Sequence, residues 1–322
     1  MILGIGSAAP DKVLTNFDLE KMVDTSDQWI RERSGIERRH ILEDGKANSD
    51  MATKAARNAI SHAKLKPKDI DCIILATISP DMLFPATACK VQDNLGATHA
   101  VAFDISAACS GFIYALHMAD SFITSQVYRH VLIIGSEVLS RFVDWEDRTT
   151  CVLFGDGAGA AVIGPSDGER GILSSFIRSD GKLTDLLCTP GGGSLHPASI
   201  DTINQGMHFL KMMGREVFKH AVRTMVDAAR HGLDLAGFHS DDIDLLITHQ
   251  ANIRIIHAVA SRLKLPDEKV FVNLQEYGNT SAASIPLAMD QAKNEGRLKA
   301  GDHCLLVAFG GGFTWASSLI RF

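Results

Sequence analysis

The sequence predicts an α/β protein of two similar halves, each a mostly parallel central sheet covered by helices. Three observations predict it. Apolar runs of strand length alternate with helical stretches, which is how strands buried on both faces of a sheet read. The order of these elements over residues 1–168 repeats over 169–322. Small, polar and glycine-rich residues gather just past several strands, where open α/β sheets carry their sites.

In the first half, a short strand is expected over residues 2–5. A polar region follows, with Thr25 and Ser26 as the cap ahead of Asp27, Gln28, Trp29 and Ile30. Met51, Ala55, Ala56, Ala59 and Ile60 share one helical face, which predicts a helix over 49–63. The run 71–77 reads as a strand buried on both sides. Val101, Phe103 and Ile105 alternate as a strand does, and from Phe112 to Met118 the pattern turns helical. Strands at 130–137 and 159–164 close this half around a polar, aromatic loop at 141–150.

The second half opens with a strand near 171–177 and a long helix over about 206–231. A strand at 244–249 matches 71–77. Another at 269–273 leads through Tyr277, Gly278 and Asn279 into a helix, as the strand at 101–105 leads through Cys109. Strands at 303–310 and 314–321 echo 130–137 and 159–164, and the join falls between 164 and 171. The stretch 154–159 (FGDGAG) resembles part of a dinucleotide fingerprint. It runs into a strand instead of a helix, so close backbone packing is expected there and not a phosphate cradle.

Composition narrows the function classes. Apolar content of 46% and charged content of 22% are those of an ordinary globular chain. A net charge of -6 argues against bulk binding to nucleic acid or an anionic membrane. No apolar run approaches the roughly 18 residues of a membrane span. Residues 1–10 lack the basic start of a secretory signal, so a cytoplasmic location is expected. Six scattered cysteines read as reduced thiols, and no histidine or cysteine spacing suggests a metal.

Cys109 stands where strand gives way to helix, among Ser106, Ala107, Ala108, Ser110 and Gly111. There the free N–H groups and the helix dipole lower a thiol's pKa. The other reading is a small buried thiol packing as a hydrophobe. His249 ends a buried strand, Asn279 sits in a turn, and 310–312 is a glycine run; each alone also reads as an ordinary core, turn or packing residue. All four fall at the carboxyl ends of strands, which brings them to one place.

AACSGF around Cys109, HQANIR from His249, YGNTSAAS around Asn279 and the ending GGGFTWASSLIRF together resemble beta-ketoacyl-[acyl carrier protein] synthase III, a thiolase-fold condensing enzyme that begins type II fatty acid synthesis. DLEKMVDTSDQWI near the start extends the likeness over nearly the whole chain. The resemblance implies that Cys109 takes an acyl group from a short acyl-CoA, acetyl-CoA being the expected primer. It implies that His249 and Asn279 hydrogen-bond the thioester carbonyl of malonyl-acyl carrier protein while carbon dioxide leaves. The N–H groups of Cys109 and Gly311 would then form a second oxyanion hole.

The resemblance also places binding residues. Trp29 and Arg148 match a pair that sandwiches the adenine of coenzyme A, Arg33 a residue near its phosphates, and Asn252 one lining the pantetheine tunnel. Phe84 matches an aromatic that crosses a homodimer interface into the partner's acyl pocket. The acidic carrier protein is expected to dock on basic residues. Lys211, Arg215, Lys219 and Arg223 recur every four residues on the long predicted helix, with Arg254 nearby. No cofactor is implied, coenzyme A thioesters being substrates. Residues 189–205 match a region that borders the tunnel entrance in the family, so the resemblance implies that they bear on primer choice. The alternative expectation is a related Cys–His–Asn condensing enzyme of secondary metabolism with another acyl-CoA primer.

Overall fold

A computed structural model describes residues 1–322. Nine strands form two sheets. The first joins β1 (Ile2–Ala8), β2 (Cys72–Ala76), β3 (Val101–Ile105), β4 (Val131–Val138) and β5 (Asp156–Ile163) in the order β1-β5-β4-β2-β3. The second joins β6 (Gly171–Ser179), β7 (Leu245–Thr248), β8 (His303–Gly310) and β9 (Thr314–Arg321) in the order β7-β8-β9-β6. The main helices are α1 (Asp27–Ser34), α2 (Asn48–His62), α3 (Thr87–Leu95), α4 (Gly111–Thr124), α5 (Gly214–Ala236), α6 (Ile253–Arg262) and α7 (Ser284–Asn294).

Strand periodicity builds the layers. Ile73 and Leu75 of β2, and Leu132 and Ile134 of β4, face an outer core formed with α2 and α3. Their neighbours Cys72, Ile74, Val131 and Ile133 face a middle core. There α4 (Phe112, Ile113, Leu116) and α7 (Ile285, Ala288, Met289) lie between the two sheets. Leu245 and Ile247 of β7, and Cys304, Leu306 and Ala308 of β8, enclose that core from the other side. Leu246, Leu305 and Val307 point outward to α5 and α6, completing a helix–sheet–helix–sheet–helix stack. Period-two side chains with both faces covered explain the unbroken apolar runs.

Two expectations are corrected. The sheets are mixed, with β2–β3, β2–β4 and β7–β8 parallel but β1–β5, β4–β5, β8–β9 and β6–β9 antiparallel. Helix-length crossovers make the parallel pairs, whereas β8 turns directly into β9 through residues 311–313. The segment 269–273 is not a strand. A 3-10 turn (Asp267–Lys269) delivers it, and only Val270 bridges to Leu246. The second sheet therefore lacks an equivalent of β3. Elsewhere the boundaries agree closely: α2 differs from the expected helix by one residue at each end, and β1 is longer than expected.

The helix expected over 206–231 is Gly214–Ala236. Lys211 lies in a two-residue strand (Lys211–Met212) paired with Leu187–Cys188, so it leaves the basic stripe. Residues 200–204 form a separate short helix capped by Ser199. All six cysteines are free. In the FGDGAG stretch, a Cβ at Gly159 would stand 2.6 Å from Pro286 of α7, so the glycine serves strand–helix contact.

Candidate active site

The chain leaves β3 through Ser106 and Ala107, makes one 3-10 turn (Ala108–Ser110), and enters α4. Thr314 Oγ1 donates to Ala107 O (2.8 Å) and Ser110 Oγ to Thr314 O (3.2 Å), binding the turn to the start of β9. The end of β8 presses against it. A Cβ at Gly310 would lie 2.6 Å from Cys109 N, so only glycine allows this approach. The N–H groups of Cys109 and Gly311 donate to no backbone carbonyl, and both residues line one cavity.

The expected low pKa of Cys109 is corrected. Burial pushes the thiol up to about 12; the Ser281 hydroxyl opposes this, and the charge of Glu137 adds to it. The α-helix begins only at Gly111, so Cys109 precedes its first turn, and loss of water is the largest influence on the thiol. Burial thus favours the protonated thiol.

His249 follows β7, its N–H bonded to Val307 O (2.8 Å). Its Nδ1 lies 2.7 Å from Ser284 Oγ at the start of α7, and that oxygen accepts from the Gln250 N–H (3.4 Å). When the Ser284 hydroxyl gives its hydrogen to Nδ1, Nε2 is left as an N–H donor. Burial pulls the His249 pKa down to about 3, so the ring is neutral. Asn279 is set in a matching way. Its Oδ1 accepts from the Ser281 N–H (2.9 Å), its N–H donates to Leu153 O (2.8 Å) and its carbonyl accepts from Gly155 N (3.1 Å), leaving the amide NH2 as a free donor.

Cys109, His249 and Asn279 line one cavity of about 650 Å³. Its outer part carries Trp29, Arg33, Arg215, Lys219, Asn252 and Arg254. A second cavity of about 370 Å³ shares Cys109, Phe154 and Leu187 with the first and adds Leu139, Phe142, Leu210 and Gly311. The thiol therefore stands at the junction of a long, basic-mouthed channel and a smaller apolar chamber.

Peripheral residues differ in their readiness. Arg148 and Arg33 both lie over the Trp29 ring, with Cζ 5.3 and 5.8 Å from its centroid. A planar base between ring and guanidinium needs roughly 7 Å, two layers of van der Waals contact. Arg148 must therefore swing out, giving up its bond to Asp24 O (2.6 Å). Asn252 caps α6 through Oδ1 and donates to Arg33 O (2.9 Å), so it shapes the channel wall with both amide ends engaged. Lys219 pairs with Glu216 (2.8 Å), and Arg254 lies over Phe218. Phe84 is 85% exposed and lines neither cavity of its own chain.

Sequence reasoning missed Ser284, Ser281 and Glu137. The two serines lay within the YGNTSAAS motif, where Asn279 alone drew notice; Glu137 ended an apolar run with nothing to mark it.

Residues 103–181 match the family 3-oxoacyl-[acyl-carrier-protein (ACP)] synthase III, and residues 233–322 match the C-terminal family of the same synthase. Beta-ketoacyl-[acyl-carrier-protein] synthase III of Caldanaerobacter subterraneus subsp. tengcongensis is 55% identical over 99% of this chain and 97% of its own. The Clostridioides difficile enzyme of that name is 53% identical with the same coverage. The crystal structure of 3-oxoacyl-[acyl-carrier-protein] synthase III from Aquifex aeolicus superposes with a TM-score of 0.92 at 51% identity, covering 100% of this chain and 99% of the other. The priming beta-ketosynthase of the R1128 polyketide pathway superposes at 0.92 with 35% identity, over 99% and 95% of the two chains. The chain belongs to the beta-ketoacyl-[acyl-carrier-protein] synthase III family and is an acyltransferase, the priming condensing enzyme of fatty acid synthesis.

Proposed function

We propose that Cys109 accepts an acyl group from a short acyl-CoA and that His249 and Asn279 then drive decarboxylative condensation with malonyl-acyl carrier protein. The observation that carries this reading is the convergence of one thiol and two oriented donors on a single channel. In the first half-reaction Cys109 attacks the thioester carbonyl, and the N–H groups of Cys109 and Gly311 hold the oxyanion. Coenzyme A leaves, its nucleotide bound at the mouth by Trp29, Arg33 and Arg148, and the acyl chain rests in the smaller chamber.

In the second half-reaction the malonyl thioester enters the same channel. His249 Nε2–H and the Asn279 amide donate to its carbonyl, where enolate charge develops as carbon dioxide departs. A neutral imidazole suits this, because it donates without offering a proton to the enolate carbon. The carbanion attacks the acyl carbon, and Cys109 is expelled as the 3-oxoacyl product forms.

The same reading has the chain working as a cytoplasmic homodimer with Phe84 closing the partner's acyl chamber, and needing no cofactor. It divides the chain into functional halves at 1–168, with the nucleophile, and 169–322, with the two donors. A polyketide-type primer is the second reading, favoured by the R1128 likeness. Incubation with acetyl-CoA and malonyl-acyl carrier protein should yield acetoacetyl-carrier protein and carbon dioxide. Turnover confined to larger primers would transfer the assignment to the second reading.

A further inference from the structure

Glu137 is the one buried carboxyl beside the nucleophile. It is the penultimate residue of β4, with no exposure and no ion pair. It accepts from Thr77 Oγ1 (3.1 Å), the Ile78 N–H (3.1 Å) and Ser79 Oγ (2.5 Å), all on the segment leaving β2. Three donors from one segment hold it in a single place. Directly across on β5 stands Gly157. On α2, Asn48 spends its amide on Thr77, Ser79 and the Ser136 carbonyl. From the turn Ser281–Ala283, packed on β4 and on the Cys109 turn, comes the Ser281 hydroxyl. None of these contacts titrates, and the Cys109 thiol feels the Glu137 charge.

Ser281 Oγ is closed off from water and makes no hydrogen bond in this structure. Its turn packs both on β4, which carries Glu137, and on the Cys109 turn, and the hydroxyl's residue shares a cavity wall with Cys109. The hydroxyl acts on the ionisation of the thiol and of the carboxyl alike. A buried hydroxyl with no partner, on a turn packed against both, is free to turn and pass a proton from one to the other. The Cys109 thiol must lose one to react, and His249 is a poor acceptor, since burial disfavours its charged form and its Nδ1 is engaged by Ser284.

We propose that Glu137, acting through Ser281, takes the Cys109 proton during acylation and returns it when condensation expels the cysteine. As Sγ bonds to the acyl carbon and the bond to the coenzyme A sulfur breaks, the thiol hydrogen passes to Ser281 and the Ser281 hydrogen to Glu137. The coenzyme A thiolate takes its proton from water. In the second half-reaction the acyl carbon bonds to the enolate carbon, the bond to Sγ breaks, and the stored proton travels back. Burial raises the Glu137 pKa to about 7, with Ser79, Ile78, Ser281 and Thr77 holding it down, so the carboxyl can change state at neutral pH.

This inference rests on Cys109 being the acylated residue, and the test separates the two claims. Single-turnover acylation with acetyl-CoA is followed from pH 5 to 9 in the wild type, Glu137→Gln and Ser281→Ala. The wild-type rate should rise through an ionisation near neutrality. Both variants should lose that limb and fall by roughly 10²-fold at pH 7.5. Thermal unfolding checks the Gln variant. If it does not fold, Ser281→Ala carries the test, since the carboxyl keeps its other three donors. A folded variant matching the wild-type pH profile within about threefold overturns the relay alone. A wild type that is never acylated at Cys109 overturns the relay and the assigned nucleophile together.

Discussion

Cys109 shows how burial and backbone compete for one thiol. The motif marked Cys109 as the candidate nucleophile, but its protonation depends on how tightly Gly310 and Ser281 close around it, which local spacing does not encode. Cys109→Ser should abolish acylation, since an alcohol cannot replace a thiol as the attacking group. His249→Ala or Asn279→Ala should each slow malonyl decarboxylation by on the order of 10²-fold or more while Cys109 still acylates; normal decarboxylation by the Asn279 variant would remove it from the oxyanion site. Ser284→Ala should also slow decarboxylation, by about tenfold, because Nδ1 and Nε2 then compete for the ring hydrogen. Acylation should again be spared. The pH signs are opposite for the two buried titrating groups. Glu137, raised from 4.5 to about 7, makes the folded state bind the extra proton, so its contribution to stability is lost as pH rises through that window. His249, lowered from 6.5 to about 3, makes the unfolded state bind it, so its contribution is lost as pH falls. Denaturation midpoints for Glu137→Gln should therefore decline less than wild type between pH 5 and 7, and an unchanged slope would show that Glu137 does not titrate there.

Elements were legible wherever one period ruled. The apolar runs that became β2, β4, β7 and β8 lie between two cores each, so every residue in them is buried and no polar phase confuses the reading. Ser26 caps α1 as its position before Asp27 predicts. Reading failed where tertiary partners decide. Residues 269–273 carry alternating apolar residues yet pair at one point only, and basic spacing hid the true start of α5 at Gly214. The surviving basic group is Arg215, Lys219 and Arg223 on α5 with Arg254 on α6, all exposed, and Arg215, Lys219 and Arg254 rim the channel. An acidic carrier protein delivering its thioester would meet this rim. Charge reversal at Arg254 or Lys219 should raise KM for malonyl-acyl carrier protein several-fold and leave acylation by free acyl-CoA nearly unchanged, with added salt weakening only the carrier-protein step. Equal losses with both substrates would assign these residues to the channel instead.

At the scale of the molecule, the repeat in the sequence is visible as two sheets enclosing α4 and α7, and the candidate site sits where the Cys109 turn leads into α4 and Ser284 begins α7. The strand directions were not legible, because direct β-turn-β connections and helix crossovers leave the same apolar runs. One face is left bare: Leu83 and Phe84 are 87% and 85% exposed, and Val101 of the edge strand β3 is also exposed. Pairing of β3 across a two-fold axis would cover it and extend the sheet. Sedimentation should find a dimer at micromolar concentration, and an active monomer would refute that assembly. The most direct test of the account is intact mass spectrometry after exposure to a mixture of acyl-CoAs, with peptide mapping and a chase of malonyl-acyl carrier protein. One short acyl group should appear on Cys109 and disappear as 3-oxoacyl-carrier protein forms. An acyl group on any other residue, or one on Cys109 that the chase leaves in place, would contradict it.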